Sequence, residues 1–135
     1  MNLHESQPVD RLSRLRRVAP AGLAALFIGS GTLHLLRPRL FAAAMPPALP
    51  APGALIATSG IAELLCAVGI LRGHRWAGPI SAILLVAVFP ANVTMALTTA
   101  ADPSSSCLAH FAAWTRLPLQ VPLVWAALQA GRSQR

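Results

Sequence analysis

Lysine is absent from this 135-residue sequence and acidic residues number only four, so all eleven basic groups are arginines. Charged residues make up 11% of the chain. An ordinary soluble domain carries roughly 25%, so this chain is too poor in charge to cover a water-facing surface. The net charge of +7 would suit nucleic acid, but aromatics are only 5% and the arginines sit at the ends of apolar runs. No basic stripe with interleaved aromatics exists, which excludes a nucleic-acid interface. Two cysteines, Cys66 and Cys107, are too few for a disulfide framework and form no Cys-x-x-Cys pair. Cys107, His110 and a distant His34 are three scattered ligands and not a metal site. There is no phosphate-binding glycine loop and no Ser–His–Asp set. No catalytic residue, metal or cofactor is therefore expected from the chain's own motifs.

What the sequence has instead is apolar length, with 55% hydrophobic residues. Four runs stand out, at about 18–36, 54–71, 79–97 and 111–128. At ~1.5 Å per residue each crosses most of a ~30 Å hydrocarbon core. The expected fold class is all-α: a polytopic membrane protein, with a four-transmembrane-helix antiparallel bundle over 18–130. A basic tail (1–17) precedes it and a short tail (131–135) follows. The first run follows an arginine-rich lead and shows no small-residue cleavage site, so it reads as a retained helix with Pro20 in its first turn. Ala21, Ala25 and Gly29 recur every four residues and offer a small-residue face to a neighbouring helix. Four prolines lie within 46–52, which predicts a stiff extended segment folded over the bundle mouth. Arg72-Gly73-His74-Arg75 predicts a tight turn between antiparallel neighbours, and Pro90 a kink whose freed carbonyl Asn92 is placed to satisfy.

Arginine counts set an orientation. Eight lie in the N-terminal lead, the 72–75 turn and the C-terminal tail, against Arg37, Arg39 and Arg116 on the other side. The positive-inside bias places both termini in the cytoplasm. His34, Glu63, Asn92, Arg116 and Gln120 then occupy the outer half or the midplane, with Glu63 roughly 13 Å down its helix. A buried carboxylate needs a partner, a proton or enclosed water, and Arg116 is the only arginine placed within a span. The expectation is a Glu63–Arg116 pair in a polar cavity open to the outside. It serves either as a structural staple or as a ligand or proton site; alternatively Arg116 snorkels to the interface beside Trp114.

Several motifs occur in a recognisable order. His34 is followed by Pro38 and Phe41, then Met45-Pro46-Pro47 with Leu49-Pro50 and Pro52, then Ser59-Gly60 with Glu63-Leu64-Leu65 and Gly69. Phe89-Pro90-Ala91-Asn92-Val93-Thr94-Met95-Ala96 and Arg116-Leu117-Pro118-Leu119-Gln120 continue the series. Over about residues 20–130 the sequence resembles the DoxX-like family of small membrane proteins. The resemblance implies a four-helix bundle in the bacterial inner membrane but no single chemistry. Members are associated with quinone-linked sulfur oxidation, with thiol and oxidative-stress complexes and, in animals, with receptor assembly. The cysteines here lack the dithiol motif of the disulfide-handling relatives.

Three functions follow as expectations. The first is a non-catalytic accessory or scaffold subunit of a redox or stress-response membrane complex, whose partners are the lipid bilayer and a membrane or redox protein. The second is a binder or transporter of a small quinone-like, lipid-like or acidic molecule near Glu63 and Arg116. The third is the membrane subunit of an oxidoreductase that borrows its cofactor from a partner.

Overall fold

Helix formation begins well ahead of the first apolar run. The computed structural model describes residues 7–42 and 44–132. In it α1 spans Gln7–Leu36, 30 residues or about 45 Å. The expected tail is thus helical from Gln7 onward. Arginine and leucine are both strong helix formers, so Arg11, Leu12, Arg14, Leu15, Arg16 and Arg17 extend the helix beyond its apolar part. The remainder of the expected tails, residues 1–6 and 133–135, lies outside the described residues. Pro20 is consequently buried in the helix interior and not in the first turn, and Arg16 loses its helical donor there.

Arg37 closes α1 through its amide to the Leu33 carbonyl (2.8 Å), and the single turn α2 (Arg39–Ala42) follows. The helix α3 (Pro52–Leu71) starts with proline at its first position, after Ala51 in the left-handed region at φ 49°. Its far end is a Schellman closure. Gly73 sits at φ 73°, its amide bonds the Ile70 carbonyl (3.1 Å), and the His74 amide reaches Gly69 (2.8 Å). This closure reverses the chain within five residues into α4 (Ala77–Ala101).

Helix α4 stops at Asp102, whose extended backbone (φ −94°, ψ 108°) is what a following proline demands. The Asp102 carboxylate accepts from the Ser104 amide (2.9 Å), the Ser104 hydroxyl (2.7 Å) and the Ser105 hydroxyl (3.3 Å). Ser106 then caps α5 (Cys107–Arg132), its hydroxyl accepting from the Ala109 amide at 3.1 Å. Pro90 in α4 and Pro118 and Pro122 in α5 lie inside continuous helices.

Every element among the described residues is helical, and the four long helices pack in the cyclic order α1, α3, α4, α5. The most extensive contacts are α1 with α3 and α4 with α5, which leaves α3 and α5 on a diagonal. The core is built from Leu23, Ala24 and Phe27 of α1, Cys66 and Ala67 of α3, Leu85 of α4, and Ala126 and Ala127 of α5. Alanine at so many of these positions lets the helices lie close. The large apolar side chains point outward instead, among them Leu36, Leu65, Ile83, Val86, Phe111 and Val121. A surface of that kind matches hydrocarbon and not water. Three helical segments, Arg11–Leu36, Pro52–Leu71 and Ala77–Ala101, are long and apolar enough to cross a membrane.

The expected small-residue interface lies elsewhere. Ala21, Ala25 and Gly29 are exposed, and a Cβ added to Gly29 would meet nothing within 4 Å. The close approach falls between Gly31 of α1 and Gly60 of α3, where each glycine faces the other's carbonyl oxygen. Only hydrogen fits there.

Candidate functional site: a polar cavity among four helices

Helices α1 and α3 run antiparallel, so Gly31 lies against Glu63 and Gly60 against His34, and the two polar side chains meet across the glycine contact. His34 Nδ1 lies 3.4 Å from Glu63 Oε2. It lies closer to the Ser30 carbonyl oxygen, at 2.9 Å. A carbonyl oxygen only accepts, so this contact assigns the hydrogen to Nδ1 and leaves Nε2 with the lone pair in the neutral ring. The Nδ1 hydrogen is directed to Ser30, and Glu63 Oε2 remains buried without a hydrogen bond among the described residues. The imidazole also stacks on Phe41 of α2, with ring centroids 3.9 Å apart.

The expected Glu63–Arg116 pair does not form. Arg116 Nη1 donates instead to the Met95 thioether at 3.2 Å. The cause is the diagonal arrangement: Arg116 on α5 packs against α4, whereas Glu63 on α3 packs against α1. Gln120, one turn after Arg116, donates from Nε2 to the Leu85 carbonyl of α4. Among the described residues Asn92 does not bond a freed carbonyl. Thr94 back-bonds to the Pro90 carbonyl at 3.0 Å, and Asn92 turns to the interior.

That interior is a cavity of about 220 Å³ to which His34, Glu63, Asn92, Arg116 and Gln120 all contribute. Ser30 and Ser59 add hydroxyls, and Ser59 Oγ is a second buried polar atom without a partner, one turn before Glu63. The remaining wall is apolar, with Phe27, Leu85, Val88, Leu119 and Leu123 prominent. Phe41, Ala44 and Met45 line it from α2 and the following turn. The cavity therefore lies in the half of the protein that the proline-rich segment and the 102–106 loop share. Ser30, Ser59 and Met95 were missed in the sequence because a lone serine or methionine on an apolar helix carries no signal of its own. The twin spacing Gly31-x-x-His34 and Gly60-x-x-Glu63 was a readable one.

The cysteines take no part: Cys66 is buried in the core and Cys107 is exposed at the start of α5, both free. Among the described residues no group of three or more His, Cys, Asp or Glu side chains is placed to hold a metal.

Fold and site together define an all-helical protein with helices long enough to span a membrane and an apolar-walled cavity into which a few polar groups converge. The chain belongs to the family described as a domain of unknown function, DUF8561, whose model matches residues 23–131 and so takes in the whole cavity. No curated protein and no solved structure matches it.

Proposed function

We propose that this protein is an integral membrane protein whose four long helices all cross the bilayer, and that its cavity binds a small amphipathic molecule. The observation that carries the reading is the convergence of polar groups from α1, α3, α4 and α5 on one apolar-walled cavity, with Ser59 Oγ and Glu63 Oε2 buried and without a hydrogen bond among the described residues. Burying such groups costs free energy that a packed apolar interior would avoid, so a role in binding accounts for them. The resemblance to the DoxX-like family and the arginine asymmetry favour the bacterial inner membrane, with both termini cytoplasmic. Native mass spectrometry from mild detergent tests the binding. A small-molecule adduct is expected on the wild type and is expected to vanish from Ala91→Phe, which fills the cavity. Identical spectra for the two proteins would refute it.

A second reading, an accessory or scaffold subunit for a redox or stress-response partner, is favoured by the outward Ala21, Ala25 and Gly29, above which a helix has room to approach. A membrane protein co-purifying in fixed ratio, and lost with Gly29→Leu, would support it.

A further inference from the structure

On the reading that the cavity binds a small amphipathic molecule, we infer that its ligand is a short amphiphile with a carboxylate head, anchored by Arg116. A guanidinium stays charged and presents five donors in a planar fork that matches a carboxylate bidentately. Here Nη1 donates to the Met95 thioether, a weak acceptor, at 3.2 Å. Among the described residues no carboxylate pairs with Arg116, and the chain's own buried one, Glu63, stands across the diagonal beside His34. A half-buried cation with no anion of its own is the element of this site that selects a ligand.

The charge count favours a monoanion. One carboxylate neutralises one guanidinium, whereas a phosphate monoester would bring surplus negative charge into an apolar-walled interior. Leu85, Val88, Leu119 and Leu123 supply an alkyl-compatible wall near Arg116. The cavity of about 220 Å³ has room for a chain of several carbons.

The test is equilibrium dialysis of labelled octanoate and octan-1-ol against protein in lipid nanodiscs, with empty nanodiscs subtracted. The wild type should bind octanoate about 10- to 100-fold more tightly than the alcohol, the range that charged hydrogen bonds supply. Arg116→Met should erase that preference while octan-1-ol binding stays within about twofold, which also reports an intact fold. Glu63→Gln should leave the preference for octanoate in place, because Glu63 stands across the diagonal from Arg116. A preference lost with Glu63→Gln would overturn the assignment to Arg116. Equal wild-type affinities, or a preference that survives Arg116→Met, would overturn the carboxylate assignment and leave the cavity reading standing. Saturable octanoate binding that persists in Ala91→Phe would place the ligand elsewhere and overturn it too. No saturable binding of either probe would overturn both.

Discussion

Gly31 and Gly60 bring α1 and α3 so close that a Cβ on Gly31 would stand 2.7 Å from the Gly60 carbonyl oxygen, and one on Gly60 2.9 Å from that of Gly31. Backbone faces backbone here, and no flexible side chain can swing away to make room. The contact also sets the registry of the site, because Gly31 lies against Glu63 and Gly60 against His34.

Alanine at Gly60 should therefore destabilise the protein. Its methyl would meet the His34 Cβ at 2.8 Å as well as the Gly31 carbonyl, so the helices must part. Overpacking of this kind costs about 1–3 kcal/mol. Gly29→Ala is the control, since nothing lies within 4 Å of the added methyl. Alanine there gains up to about 1 kcal/mol of helix propensity. Thermal unfolding in detergent followed by circular dichroism should show a midpoint several degrees lower for Gly60→Ala and equal or higher for Gly29→Ala. Equal midpoints would show that the contact is looser than drawn.

Coupling within the cavity should follow adjacency and not charge. His34 and Glu63 share a contact, so a double-mutant cycle with His34→Ala and Glu63→Gln should give an interaction on the order of 0.5–3 kcal/mol. Glu63→Gln combined with Arg116→Gln should give a smaller interaction, because among the described residues these two make no direct contact and share only the cavity. Strong coupling in the second cycle and none in the first would restore a Glu63–Arg116 pair.

The five cavity residues were legible in the sequence as polar groups inside apolar runs, but their pairing was not. Hydropathy gives depth along a helix and says nothing of which neighbour each face meets. Glu63 and Arg116 both fall in the outer half or at the midplane, yet the cyclic packing puts α3 and α5 on a diagonal. The same blindness to azimuth turned Ala21, Ala25 and Gly29 inward on paper, whereas Gly31 makes the contact. Helix starts were misjudged for a different reason. The apolar run of α1 begins near Val18, but nothing in Arg11–Arg17 opposes helix, so propensity carries the backbone back to Gln7.

The 102–106 loop should loosen in acid. The Ser104 hydroxyl and amide, then Ser105, hold the Asp102 carboxyl below the usual carboxylate value. A lowered folded-state pKa means that ionisation supports the turn above the unfolded value of about 3.9. That support is lost as pH falls through the lower folded value. Hydrogen-exchange protection of the Ser104 amide should therefore be constant from neutral pH down to about 4 and fall below it. Asp102→Ala should show the unprotected level at every pH. Protection that is independent of pH in the wild type would mean that the carboxylate does not hold the turn.

Whether α5 crosses the membrane decides the topology, since hydropathy alone singles out only α1, α3 and α4. Helix α5 has 26 residues, about 39 Å, long enough to span. Its lower apolarity comes from residues that the packing hides: Arg116 and Gln120 line the cavity and Gln129 is buried. Phe111, Trp114, Val121 and Leu128 face outward and give it an apolar exterior. In a Cys66→Ala, Cys107→Ala background, an impermeant maleimide added to sealed cells should label Ala48→Cys and Ser104→Cys. It should spare His74→Cys and Arg132→Cys until the membrane is opened. Labelling at 132 together with 104 would leave α5 on the outer surface and reduce the spans to three. Labelling at 74 but not at 48 would invert the protein and place the cavity on the cytoplasmic side.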